Sequence, residues 1–322
     1  MKAVLCETLD GPESLVVREI DPPGAPGPGE IKIAIEARGV SYTDILTARG
    51  EYQSKPELPF VIGGEGAGRV VAVGDGVDGF EVGAPVLVGG GCVEEVNVDA
   101  RRATVLPDGV DLAEAASFRS NYQTALVGMQ RGRLQAGETL LVHGSAGGVG
   151  LAAVDIGKLM GARVIATASS PEKLAIVSQY GADHVIDYTS GFRDKVKELT
   201  DGRGADVIYD PVGGDVFDES VRCVAPFGRI LIVGFTSGRA ALAKTNHLLV
   251  KDAEVIGFTI GGLSKHAPDW AARNQRVLLG WLASKRIRPY ISHRLPMSQT
   301  VDALRLITER KVIGKAIIVN DP

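Results

Sequence analysis

Residues 143–150 read HGSAGGVG, directly after the apolar run TLLVHG and directly before the apolar-periodic stretch VGLAAVDIGKLMG. A glycine-rich turn between a strand and a helix can cradle a pyrophosphate at the helix N-terminus, or it can present a nucleophilic serine. Against the pattern G-x-G-x-x-G, Gly147 and Gly150 match and Ser145 stands at the first glycine. Gly147 lets backbone approach the phosphates, and Gly150 lets helix and strand pack closely. Against the hydrolase elbow G-x-S-x-G, Ser145 would be the nucleophile and Gly89 to Gly91 an oxyanion loop, but His143 takes the place of the first glycine. An elbow also comes after several βα units, whereas the sequence upstream of this turn is β-rich. The pyrophosphate reading is therefore the stronger one.

The chain downstream of the turn agrees with it. Strands are expected at TLLVH, RVIAT, HVIDY, DVIYD, RILIVG and EVIGF, separated by segments with helical spacing such as PEKLAIVSQYGA, FRDKVKELTDGRGA and DVFDESVRCVAPFG. Six strands alternating with helices make a doubly wound parallel sheet of order 3-2-1-4-5-6. Before the turn the chain consists of short β-branched runs broken by glycine and proline, which predicts a β-rich, barrel-like domain. The tail after Phe258 holds two helices and two strands, too little for a separate domain, and is expected to return to the first. The expected division is 1–122 with 262–322 for the β-rich domain, and 123–261 for the dinucleotide-binding domain.

Composition narrows the function. The chain has 322 residues, 45% of them hydrophobic, and a net charge of −4 without a basic run, which argues against nucleic acid as a partner. No apolar leader or membrane-length apolar stretch occurs, so a cytoplasmic protein without membrane association is expected. Cys6, Cys92 and Cys223 are too few and too scattered for a disulfide framework or a C-x-x-C metal site.

The second strand ends in Ala168, Ser169 and Ser170 with no carboxylate before Glu172. An NAD-specific domain places Asp or Glu there to bond the ribose 2′-hydroxyl. Hydroxyls with Lys173 suit a 2′-phosphate instead, which predicts NADPH; helix capping by the serines is the plainer alternative.

The stretches ARGVSYTDILTARGEY, LPFVIGGEGAGRVVAVGDGV, SFRSNYQTAL, residues 138–174, GADHVIDY and VIYDPVGGDVF, taken in order and spacing, resemble the medium-chain dehydrogenase/reductase superfamily. Within it the likeness is to the zinc-free quinone oxidoreductase (zeta-crystallin-like) branch. The resemblance implies a GroES-like catalytic domain plus a Rossmann domain, and NADPH-dependent reduction of a quinone or another activated double bond. It places the cofactor along Ser145, Ala146, Gly147, Gly148, Val149 and Gly150, with Asn121, Thr124, Asp210, Phe235 and Phe258 toward the nicotinamide half, and adds Tyr188 to the 2′-phosphate site. For Thr124 the alternative is simple helix capping, and for Asp210 a structural turn. Zinc-dependent relatives carry a ligand cysteine and a ligand histidine where this chain has Ser41 and Gly64, so no metal is expected and an already electrophilic small-molecule acceptor is.

At the acceptor the resemblance offers Ser41, Tyr42, Asp44 and Tyr52 as polar candidates, with Tyr52 or a water as proton donor. The plainer alternatives put Tyr42 in the core and Asp44 at the helix cap. The family's Gly-Asp-Arg-Val segment is here GAPV, and Cys92 and Val93 occupy a loop where aromatic or small residues are frequent. An enoyl or acryloyl thioester reductase, or a non-catalytic crystallin-like NADPH-binding protein, remains an alternative. The apolar sixth strand, exposed at a sheet edge, predicts a homodimer pairing these strands, as the resemblance also does.

Overall fold

The computed structural model describes residues 1–321, which form two compact units: Met1–Arg119 with the stretch from Arg288 onward, and Ser120–Ile287. In the first unit the long strand Glu30–Val40 is the organising element. Its alternation of apolar side chains buries Ile31, Ile33 and Ile35 on one face, as a strand with one face on a core requires. It pairs antiparallel with Glu65–Val73, with Glu95–Asp99 and with Lys315–Val319, so the last strand of the chain lies against one of the first. Beyond these the sheet continues through Pro85–Val88 to Thr104–Val105 on one side and to Ile291–Pro296 on the other.

Within this unit Gly39 marks a close approach: a Cβ there would stand 2.2 Å from the Ala116 carbonyl oxygen. Beside it lies a buried ion pair, Lys315 Nζ to Glu65 Oε1 at 2.5 Å, with both side chains about 5% exposed or less.

The second unit is built on six parallel strands. In chain order they are Thr139–Val142, Arg163–Ala168, His184–Asp187, Ala205–Asp210, Val224–Ile232 and Glu254–Gly257. Their order across the sheet is third, second, first, fourth, fifth, sixth, the doubly wound order expected from the sequence. Leu140, Leu141, Val164, Ile165, Val207, Ile208 and Ile230 are fully buried, as strands covered on both faces must be.

Two boundaries differ from expectation. The segment expected to stay helical through Gly228 is helical only over Gly214–Cys223; Val224 already pairs with Ala205, and Pro226, which lacks an amide hydrogen, cannot extend the helix. The helices Ile260–His266 and Pro268–Ala283 group with the parallel sheet and not with the first unit, so the expected division at residue 262 differs from the observed grouping. Polar contacts account for this: the Gln130 amide donates to Asn274 Oδ1 at 3.0 Å, and Gln130 Oε1 accepts from Asn274 Nδ2 and Trp270 Nε1, each at 2.8 Å. Among the described residues no helix is long and apolar enough to cross a membrane.

Replacing Lys315 by Met would leave the Glu65 carboxylate buried without its cation, and we expect a loss of about 3–5 kcal/mol in chemical denaturation. The double replacement Lys315→Met with Glu65→Met should recover most of it. Equal stability of the single variant and the wild type would show that the pair is dispensable.

Candidate functional site

The glycine turn follows the first strand and leads into the helix Gly148–Leu159 with Gly147 as N-cap. Its glycines do different things. A Cβ at Gly150 would lie 2.3 Å from the Gly144 carbonyl oxygen, so the helix can approach the strand end only without one. A Cβ at Gly148 would meet the Asn121 amide at 2.5 Å, so Asn121, itself buried, presses on the start of the helix. At Gly147 a Cβ would meet only the Gly144 oxygen, at 3.4 Å, and the outer face of the turn is open. Backbone amides of a first helical turn lack intrahelical partners and favour an anion. An open backbone face ahead of such amides fits a pyrophosphate.

Ser145 does not face that side. It is fully buried, and its amide and hydroxyl both donate to the Thr167 carbonyl oxygen, at 3.1 and 2.8 Å. A nucleophile needs exposure and a base, and Ser145 has neither, which removes the hydrolase reading. It holds the turn to the second strand.

His143 completes this support. Its Nε2 lies 2.8 Å from Ser220 Oγ and its Nδ1 3.0 Å from Thr167 Oγ1. The Ser220 hydroxyl donates to the Val216 carbonyl at 2.7 Å, so it accepts from the imidazole. The ring is therefore the neutral Nε2–H tautomer, with Nδ1 accepting from Thr167. Burial pushes its pKa down to about 3. Ser220, His143, Thr167 and Ser145 thus form one chain of hydrogen bonds beneath the turn.

At the end of the second strand Ser169, Ser170 and Lys173 are partly exposed, and Ser170 caps the helix Pro171–Gln179, its hydroxyl 3.4 Å from the Lys173 amide. The parallel register Ala168↔Asp187 brings Tyr188, just after the third strand, beside this end. Asp210, at the end of the fourth strand, is buried; its Oδ1 accepts from the Val212 and Gly213 amides at 2.8 and 2.9 Å, the structural turn weighed against a ligand contact. Burial raises its pKa. Phe235 is exposed beside Gly213, and Phe258 packs against Gly128. The Thr124 hydroxyl donates to the Ser120 carbonyl at 2.6 Å.

In the first unit Ser41 caps the short helix Tyr42–Ala48 in a reciprocal arrangement with Asp44, whose Oδ2 accepts from the Ser41 amide at 2.7 Å and from its hydroxyl at 3.0 Å. Burial pushes the Asp44 carboxyl up to about 6, against the pull of Lys315 and of its hydrogen bonds to Ser41. Tyr42 packs against an apolar cluster, while Tyr52 is partly exposed on the loop that follows the helix. Cys92 is fully buried and its thiol pushed up to about 12 by desolvation, so it is not a nucleophile. Among the described residues no three His, Cys, Asp or Glu side chains gather in a group able to hold a metal ion.

Comparison with known proteins agrees with both units. The sequence model of the alcohol dehydrogenase GroES-like domain matches residues 27–114, and that of the zinc-binding dehydrogenases matches residues 148–275. A β-rich GroES-like unit joined to a dinucleotide fold defines the medium-chain dehydrogenase/reductase class. Quinone oxidoreductase-like protein 2 homolog of Nematostella vectensis is 39% identical, over 98% of this chain and 88% of its own. Quinone oxidoreductase of Pseudomonas aeruginosa is 34% identical, over 99% of each. The crystal structure of Escherichia coli quinone oxidoreductase complexed with NADPH superposes with a TM-score of 0.90 at 26% identity, covering 99% of this chain and 100% of that one. The chain belongs to the quinone oxidoreductase-like family of that superfamily.

The network under the turn makes stability pH-dependent. His143 stays neutral when folded down to about pH 3, whereas an exposed histidine takes a proton near 6.5, so its contribution is complete above about pH 6.5 and falls as the pH drops toward 3. The raised carboxyl of Asp44 acts oppositely between about 6 and 3.8. Comparing wild type with His143→Gln cancels that part. The stability gap between them in urea should narrow by about 1 kcal/mol per pH unit below pH 6; a gap that does not change with pH would contradict the neutral buried ring.

Proposed function

We propose that this protein uses NADPH to reduce a small electrophilic acceptor, a quinone or another activated double bond, without a metal ion. The observation that carries the reading is the glycine turn, open at Gly147 and supported rigidly from below, next to a second-strand end that offers Ser169, Ser170 and Lys173 and no carboxylate. The names of its relatives point the same way.

When bound, the dihydronicotinamide supplies a hydride. The chain's own residues bind and orient. Amides of the first turn after Gly147 hold the pyrophosphate, and Asn121 keeps that turn in place. Ser169, Lys173 and Tyr188 take the 2′-phosphate; Ser170 shares this role with its capping bond. Thr124, Phe235 and Phe258 border the nicotinamide half, and Asp210 shapes the adjoining turn. In the first unit Tyr52, or a water, is the proton donor. Tyr42 and the Ser41–Asp44 cap fix the loop it follows. Ser41 and Gly64 offer neither thiolate nor imidazole, so these two positions supply no zinc site.

The edge strand Glu254–Gly257 pairs on one side only, and Leu249 and Val250 on the preceding helix are strongly exposed. An unpaired apolar edge calls for a cover, and a second copy of the chain supplies one through two-fold strand pairing. Sedimentation at micromolar concentration should give a dimer mass; a monomer would contradict it.

Steady-state oxidation of NADPH and NADH, measured against quinones, enals and enoyl thioesters, tests the activity. NADPH should be preferred. Lys173→Glu should raise the KM for NADPH on the order of tenfold, the worth of one charge-assisted contact, and leave that for NADH nearly unchanged. Equal efficiency with both cofactors in the wild type would remove the 2′-phosphate assignment.

A further inference from the structure

Arg119 lies on the helix Leu112–Arg131, in the part that belongs to the first unit. Its guanidinium borders a recess lined by glycine. A Cβ built on Gly89 would stand 3.5 Å from Arg119 Nη2 and 3.8 Å from the Gly64 carbonyl oxygen. At Gly64 itself a Cβ would meet nothing within 4 Å. The rest of the glycine run is pressed the other way: at Gly90 a Cβ would strike Ile35 Cδ1 at 2.7 Å, and at Gly91 it would strike Val61 Cγ1 at 2.4 Å. Glycine backbone therefore walls this space, and Arg119 brings a charged group to its border.

The cation is also uncommitted. Among the described residues no carboxylate and no hydrogen-bond acceptor engages Arg119. The buried arginines are occupied, whereas Arg119 is partly exposed: Arg229 donates to both oxygens of Glu138, at 2.9 and 2.8 Å, and Arg38 donates to the carbonyls of Ile35 and Val93. A guanidinium with no anionic partner in the protein can take one from a ligand. Its planar array of N–H donors suits an oxygen that carries negative charge.

We propose that Arg119 binds the oxygen of the acceptor and stabilises the charge that develops there. The proposal deepens the reductase reading and rests on it for the identity of the reaction. In that reaction the C–H bond of the dihydronicotinamide breaks and a C–H bond to the acceptor carbon forms. The electron pair of the acceptor's π-bond moves to its oxygen. Arg119 donates hydrogen bonds to this oxygen and balances its charge, as oxyanion-stabilising groups do. The final proton comes from Tyr52 or solvent, because a guanidinium keeps its own. This chemistry defines the substrate class: an acceptor whose reducible double bond is conjugated to an oxygen, such as a quinone, an enone, an enal or an enoyl thioester.

The test uses Arg119→Met and Arg119→Ala in the full-length protein. Thermal melts should match the wild type, since no bond within the protein is lost. With no cofactor present, 4-nitrophenolate serves as probe of the anion site, its visible absorption reporting transfer from water to the guanidinium. Arg119→Met should weaken its binding at least tenfold. With NADPH, kcat for the best acceptor should fall about 10²- to 10³-fold at an unchanged KM for NADPH, and millimolar guanidinium ion should partly restore Arg119→Ala. Wild-type phenolate binding and wild-type kcat in Arg119→Met would overturn the proposal, as would a folded wild type that does not bind the probe. A wild type that reduces no acceptor yet loses phenolate binding on Arg119→Met would defeat the reductase reading while leaving the anion site standing.

Discussion

The second unit depends on one close approach, that of the helix Gly148–Leu159 to the end of the strand Thr139–Val142. Adding a single methyl group at Gly150 would bring carbon within 2.3 Å of a carbonyl oxygen, so the geometry exists only because that methyl is missing. The benefit is positional: amides that would otherwise point into solvent are gathered at the carboxyl edge of the sheet, where ligands of doubly wound folds bind. The cost is entropic, because glycine loses more backbone freedom on folding than any other residue. Hydrogen bonds through Ser145, Thr167, His143 and Ser220 offset it by fixing the turn from the side away from the ligand face. The serine that replaces the first glycine of the dinucleotide pattern is therefore no defect in the motif. It contributes a bond the glycine could not make.

Much of this was legible in the chain because period and punctuation carry it. Continuous apolar runs bounded by glycine announced the buried parallel strands, and their number with the position of the turn gave the strand order. The reading failed where a segment's partner lies far away in sequence. Nothing in PDWAARNQRVLLGWLA says that Trp270 and Asn274 will meet Gln130, more than 130 residues earlier, and so its membership in the sheet unit was missed. The span DVFDESVRCVAPFG has helical spacing throughout, yet Pro226 removes an amide the helix would need, and the strand pairing at Val224 prevails.

In the sites the same division holds. The open turn at Gly147 and the hydroxyl-bearing strand end could be read from residue types at known offsets. The inward orientation of Ser145 could not, because its hydroxyl could have served a ligand as readily as Thr167. A signal for the network did exist: Thr167 interrupts the apolar strand RVIATA, and a buried hydroxyl needs a partner. Arg119 gave no signal of its own, since a single arginine on a helix reads as a solvated surface charge. Only the empty space beside two glycines distant in sequence gives it a setting.

Pairing between Lys315–Val319 and Glu30–Val40 has a bearing on how the chain is made. Synthesis proceeds from the N-terminus, and domains tend to fold as units as they emerge. The segment Ser120–Ile287 is contiguous and can close as soon as it leaves the ribosome. The β-rich unit begun before it must wait, with one flank of its longest strand unpaired and Glu65 lacking its lysine, until Lys315–Val319 has been made. Unpaired flanks of this kind are where nascent chains associate wrongly. A ribosome stalled ahead of the codons for Lys315–Val319 would thus leave a finished parallel-sheet unit tethered to an unfinished β-rich one, and loss of that strand would be felt first at Glu30–Val40, far back in the sequence.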